Sequence, residues 1–250
     1  MKRDTTLDER QKEVLKIIVT YHIHSAVPIG SQVVSDILDL SSATIRNVMG
    51  ELEEMDYISK PHTSAGRVPT TSGYRYYVNN LLEVNTITNQ QKRFIEEEYY
   101  SKEIGSIEAM LEKISHLLSV MTNYAGIACI SNLKFYIEGT SNMIDMPEFR
   151  NPQRIRMLLK LFDEKTELLK LLNDDLVTDG VKIHIGEEDR FETLREISLI
   201  TGNYRIGRKG RGSLGVLGPM RMNYSVLIPL VDFLSRTIDA VLDEMEIESE

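Results

Sequence analysis

A single cysteine, Cys129, among 250 residues rules out an internal disulfide and any zinc site built on several thiolates. Tryptophan is absent, and 7 prolines with 15 glycines are too few for a collagen-like or low-complexity chain. No apolar run approaches the roughly 20 residues that span a bilayer. The start, Met1-Lys2-Arg3-Asp4-Thr5-Thr6-Leu7-Asp8, has no apolar stretch suited to a signal peptide, so the expected location is cytoplasmic. The five histidines show no ligand spacing, and His22 and His24 fall on different faces of one helix. No metal or cofactor is expected, nor is an enzyme, since no nucleophile–base pair is visible. What is present, 42% hydrophobic and 27% charged residues, describes a globular chain of one large or two ordinary domains.

The net charge of −9 counts against a nucleic-acid partner at first sight. Charge is unevenly spread, however, and a polyanion feels the field within about a Debye length, ~8–10 Å. From Tyr57 to Leu82 there is no acidic residue, while Lys60, Arg67, Arg75 and His62 are there. The acids gather elsewhere, at Glu51–Glu54, at Glu96–Glu98 and from Asp239 to Glu250.

Periodicity predicts a helix from Leu7 to Tyr21, with Thr6 and Glu9 or Asp8 and Gln11 as capping box. Val27-Pro28-Ile29-Gly30 breaks it. Ser31 caps a short second helix with Val33, Val34 and Ile37 facing inward, and Ser41 caps a third from Ser42 to Met55. The stripe Ile45, Val48, Met49 and Leu52 is the buried side of the third helix. A strand start at Tyr57-Ile58, a turn-rich loop from Pro61 to Pro69 and a helix from Thr71 to Leu82 complete the order of a winged helix-turn-helix. After a polar linker, Val84 to Asn89, helices are predicted at Gln90–Tyr100, Ser106–Met121, Pro152–Phe162, Thr166–Asn173 and Tyr224–Met245. Strands are predicted at Ala125–Ile130, Val181–Ile185, Ile197–Tyr204 and Ser213–Leu217. The fold class is therefore α+β: a winged helix over residues 1–84, then a domain over 85–250 with a small antiparallel sheet.

The polar edge of the third helix carries Ser42, Ala43, Thr44, Arg46 and Asn47. Small residues let a helix enter a major groove about 12 Å wide, Arg can bond guanine bidentately, and Asn can do the same with adenine. Ser42 and the free amides beside it suit a phosphate. The expected wing runs through Lys60, His62, Thr63, Ser64, Gly66 and Arg67, with Arg67 at its tip reaching into a minor groove. The alternative for the helix is a solvated polar face, and for the wing a polar surface loop. Double-stranded DNA is the expected partner.

Other patterns carry less. Gly210-Arg-Gly-Ser-Leu-Gly215 fits a dinucleotide fingerprint literally, but it leads into an apolar strand and reads as a hairpin connection. Glu187-Glu188-Asp189 reads as a solvated loop. Gly139-Thr-Ser-Asn142 reads as a capped turn more readily than as a pocket lining, and Cys129 as a small buried side chain.

The chain resembles the heat-inducible transcription repressor HrcA family. The resemblance rests on Leu7–Gln11, Ser42–Asn47, Glu51–Glu54, Pro61–Thr70 and Gly73–Val78 in the first part. In the second it rests on Leu117–Ser119, Thr122–Tyr124, Gly139–Asn142, Pro147–Phe149, Ile185–Glu188, Gly215–Tyr224 and Ile228–Val231. It implies repression of chaperone operons at an inverted-repeat operator, relieved on heat stress. It also implies a GAF-like second domain, a homodimer, and a chaperonin that helps the repressor reach its active form. A winged-helix regulator answering to a small ligand in the GAF-like domain is the alternative. Members of the family usually carry an inserted domain linked to dimerisation between the strand ending near Ile130 and the Gly139–Asn142 motif. Here only Ser131 to Glu138 connect the two, so dimerisation is expected on remaining surfaces such as the Ser106–Met121 or terminal helix.

Overall fold

Of the two capping pairs offered to the first helix, Asp8 with Gln11 is the one used. Asp8 Oδ1 accepts from the Gln11 amide at 2.8 Å, and Gln11 Oε1 accepts from the Asp8 amide at 3.0 Å. Helix α1 then runs Glu9–Ser25, burying Val14, Leu15, Ile18, Val19 and Ile23, and stops at Ala26 in the left-handed conformation. The structure, a computed structural model, describes all residues except 1–6, 62–64, 101–105, 131–133, 178, 189–193, 207–209 and 248–250. It separates into two compact units: Met1–Glu83 with Met220–Asn223, and Val84–Pro219 with Tyr224–Glu250.

In the first unit, α2 (Ser31–Leu38) departs from the expected burial. Val34 is buried, whereas Val33 is 40% and Ile37 56% exposed. At 100° per residue Val33 and Ile37 share one line and Val34 and Leu38 another. A two-turn helix packed on one side keeps only one line covered. Helix α3 (Ser42–Glu54) buries Ile45, Val48, Met49 and Leu52 as its spacing requires, each contributing about 1.5–3 kcal/mol if fully transferred from water. Strands β1 (Ile58–Ser59) and β2 (Val68–Pro69) pair antiparallel, Ile58 with Pro69 and Ser59 with Val68. Helix α4 (Thr71–Tyr76) is capped by the Thr70 hydroxyl, which accepts from the Gly73 amide at 3.1 Å. Its continuation, Tyr77–Leu81, widens into a π-type turn where one unbroken helix was expected.

The second unit opens with α5 (Asn89–Tyr100) and α6 (Ile107–Thr122), the latter capped by Ser106. Strand β3 (Ala125–Ile130) is buried at every position. Strand β4 (Lys134–Glu138) and the short α7 (Thr140–Ile144) follow where the sequence suggested only a connector and a capped turn. Gly139 between them is left-handed at φ 73°, and Asn142 Nδ2 donates to Ser119 Oγ at 3.3 Å, so this motif ties its own turn to α6. Helices α8 (Pro152–Glu164, proline in its first turn) and α9 (Thr166–Asp175) precede β5 (Lys182–Ile185), β6 (Ile197–Arg205), β7 (Arg211–Pro219) and α10 (Tyr224–Ile247).

The five strands form one antiparallel sheet in the order β4-β3-β7-β6-β5. Alternation along β3 sends Ala125, Ile127 and Cys129 into a core shared with Leu158, Leu161, Leu168 and Leu172 of α8 and α9. Gly126 lies on the opposite face, so close to α6 that a Cβ would stand 2.1 Å from the Ser115 carbonyl oxygen. Helices thus cover both faces, giving an α+β unit with its sheet in the middle layer. One polar hub sits inside: Asp175, 6% exposed, accepts from Thr201 Oγ1 at 2.6 Å and contacts His184 Nε2 at 2.9 Å, joining α9 to β5 and β6.

Candidate nucleic-acid interface

The leading edge of α3 is set by the turn before it. Asp39 is left-handed at φ 54°, the Leu40 amide donates to the Ser35 carbonyl at 3.2 Å, and the Ser35 hydroxyl donates to the Leu40 carbonyl at 2.5 Å. This closes the α2–α3 turn and leaves Ser41 extended as N-cap, its hydroxyl accepting from the Thr44 amide at 3.1 Å. With the apolar stripe used by the core, Ala43, Arg46 and Asn47 are exposed on the outer side. Ser42 and Thr44 are half-buried: Ser42 Oγ lies 3.3 Å from Ser31 Oγ, and Thr44 Oγ1 lies 2.8 Å from Ser41 Oγ. The three exposed residues present a methyl, a guanidinium and an amide from the first two turns.

The wing is docked from an unexpected side. Arg67 exchanges two backbone hydrogen bonds with Ile29 in the loop before α2, at 3.0 and 2.8 Å, forming an isolated antiparallel bridge. A Cβ on Gly66 would stand 2.3 Å from the Ile29 carbonyl oxygen, so glycine is what allows the approach. The Arg67 guanidinium lies 2.8 Å from Glu53 Oε2 near the end of α3, and its side chain is only 16% exposed. Arg67 is therefore not at the tip of the wing, as expected, but at its base, drawn inward by a carboxylate and by backbone pairing. Lys60 Nζ approaches the same carboxylate at 3.7 Å with a more open side chain. His62, Thr63 and Ser64 lie outside the described residues.

Arg46 and Arg67 nevertheless line one cleft of about 390 Å³, together with Ile29, Gly30, Ser31 and Met49. The Nε of Arg67 is buried without a hydrogen-bond partner among the described residues. Two cations of the expected set thus share one concave surface of the first unit. Glu53 offsets part of the charge at the wing base, while Arg46 is exposed at the front of the cleft.

One further candidate at this cleft is not announced by the sequence. Gly30 is the N-cap of α2 and offers no side-chain acceptor, so the first amides of that helix have no side-chain cap beside the same cleft. The signal is a glycine where a capping side chain usually stands; Ser31, expected as the cap, is instead the first residue of the helix.

Three helices, a two-stranded wing and a small-residue helix edge define the class: a winged helix-turn-helix DNA-binding unit. Residues 6–83 match the family described as winged helix-turn-helix transcription repressor, HrcA DNA-binding, and residues 73–228 match the HrcA protein C terminal domain. The chain belongs to the HrcA family. Among curated relatives, the heat-inducible transcription repressor HrcA of Geobacter sulfurreducens is 30% identical, with 96% of this chain and 99% of that protein aligned. That of Desulfitobacterium hafniense is 29% identical, with 94% and 98% aligned. Those alignments run over 341 and 340 residues against a chain of 250, so the relatives carry internal residues with no counterpart here. A crystal structure of a hypothetical protein matches with a TM-score of 0.73 at 20% identity, covering 94% of this chain and 97% of its own, which speaks to the fold.

Among the described residues no helix is long and apolar enough to cross a membrane, and no group of three or more His, Cys, Asp or Glu is placed to hold a metal ion. Cys129 is fully buried, and desolvation pushes its thiol up to about 11.

Proposed function

We propose that this chain is a heat-inducible transcription repressor that binds an inverted-repeat operator ahead of chaperone genes in the cytoplasm and releases it on heat stress. The observation that carries the reading is the exposed edge Ala43, Arg46 and Asn47 standing beside the cleft that Arg46 shares with Arg67. In this assignment Arg46 and Asn47 read base edges, with Ala43 and Thr44 leaving room for the groove wall. Ser42, Lys60 and the opening amides of α2 hold phosphates, which fixes register without reading sequence. Arg67 supports the wing from its base, and Gly66 lets the wing dock. His62, Thr63 and Ser64 belong to the segment that would follow the neighbouring groove.

A symmetric operator requires two reading heads, so the working unit is a homodimer. The second unit serves as the GAF-like regulatory and assembly domain, and a chaperonin is its proposed folding partner. Heat release follows when packing in that unit or in the dimer fails a few degrees above growth temperature. The test is a gel shift on DNA upstream of the organism's own chaperone genes, across salt and temperature. A specific complex that weakens steeply with salt and disappears on warming supports the reading. Equal affinity for a scrambled duplex at every temperature contradicts it.

A further inference from the structure

The two edges of the five-stranded sheet are unlike. At β5 the last amide, that of Ile185, is taken by the Glu188 side chain at 3.1 Å, and His184 is engaged by the buried Asp175. At β4 the inner side pairs with β3 through all five residues, Lys134 with Ile130 to Glu138 with Gly126. Among the described residues, no backbone bond is made by its outer side. An open edge of this length is a template for another strand.

Its sequence is Lys134-Phe135-Tyr136-Ile137-Glu138, opposite charges placed symmetrically about a tyrosine. Phe135 and Ile137 lean on the core beneath α8 and α9. Alternation puts Lys134, Tyr136 and Glu138 on the other face, where Lys134 is ion-paired with Glu108 of α6. Both Lys134 and Glu138 are exposed.

We propose that β4 is the edge through which two copies of this chain pair antiparallel about a two-fold axis at Tyr136, joining their sheets into one. The proposal rests on the homodimer reading above and supplies its contact surface. In this register Lys134 faces the partner's Glu138 and Glu138 faces the partner's Lys134. Phe135 faces the partner's Ile137, and the two Tyr136 side chains stand opposite each other. Charge, aromatic and aliphatic pairs are all satisfied by one isologous contact. A one-residue slip sets Lys134 against the partner's Ile137 and mixes the polar and apolar faces. A two-residue slip loses both ion pairs. An edge built to repel its own copy would repeat one sign of charge, and this one does not.

The experiment uses the full chain. Light scattering across concentration measures dimerisation of wild type, Glu138→Lys and Lys134→Glu. Each variant sets two like-charge pairs across the axis and should raise the dissociation constant about tenfold or more. Mixed together they should pair again, because each supplies the charges that the other lacks. Tyr136→Cys places two thiols across the axis, with Cβ atoms ~4.5–5.5 Å apart. A mild oxidant should then link the copies, with no background from the buried Cys129. If wild type dimerises, both charge variants match it and Tyr136→Cys does not cross-link, the β4 edge is wrong while the homodimer stands. If wild type is a monomer both free and on operator DNA, the homodimer reading and this proposal fall together.

Discussion

Gly66 offers a sharp test of how the wing is held. In Gly66→Ala the new Cβ would lie 2.3 Å from the Ile29 carbonyl oxygen, 2.5 Å from its carbon and 3.0 Å from the Gly30 nitrogen. All three are backbone atoms, so no side chain can swing away, and the wing must separate from the loop before α2. Separation breaks the two bonds between Ile29 and Arg67. At about 0.5–1.5 kcal/mol each, the loss is about 1–3 kcal/mol. It also frees Arg67 from its place beside Glu53 and opens the cleft shared with Arg46. Gly50 in the middle of α3 is the matched control, since a Cβ there meets nothing within 4 Å. Replacing a helix-interior glycine with alanine should stabilise by about 0.5–1 kcal/mol. The assay is thermal unfolding together with operator affinity by fluorescence anisotropy. Gly66→Ala should lower both, while Gly50→Ala should melt slightly higher and bind as wild type. If Gly66→Ala unfolds and binds like wild type, the wing is not docked through Ile29.

Lys60→Ala should weaken binding to all duplexes alike and reduce the slope of log affinity against log salt by about one phosphate contact, as read from a salt titration. Asp175→Ala leaves the hydroxyl of Thr201 and the ring of His184 without their shared acceptor, and should cost about 1–3 kcal/mol or more, seen as a lower melting temperature. Cys129, raised from 9.0 to about 11 by burial, holds its thiolate at about one in a thousand at pH 8, against about one in ten for an exposed thiol. A thiol reagent should therefore label it only after unfolding. The linkage has one sign: this thiol costs no stability below pH 9, and folding loses free energy as pH climbs from 9 towards 11, which an alkaline melting series reads directly.

Much of the winged helix was legible because its signals are local. The stripe Ile45, Val48, Met49 and Leu52 and the cap at Ser41 lie within a few turns, and they dictate which side of α3 faces out. Burial in α2 was not legible: Val33, Val34 and Ile37 all suit a core, and only packing selects the line of Val34. The inward pull on Arg67 depends on Glu53 and Ile29, distant in sequence and on other elements, so no local pattern announces it. Strand β4 was missed because five residues bounded by charges look like a connector; pairing with β3 makes them a strand. Nothing local separates Met220–Asn223 from its sequence neighbours, yet the segment groups with the first unit, where Met220 Sδ accepts from the Thr71 hydroxyl at 3.6 Å.

The central claim, that the α3 edge reads DNA sequence, is tested most directly by Arg46→Ala on operator and scrambled duplexes at one salt concentration. Arg46 is exposed and outside the core stripe, so folding should change by no more than about 0.5 kcal/mol. Affinity for the operator should fall by about 1–3 kcal/mol while affinity for the scrambled duplex falls much less, narrowing the ratio between them. An unchanged ratio, with the operator bound as tightly as by wild type, would remove Arg46 from the reading face and the claim with it.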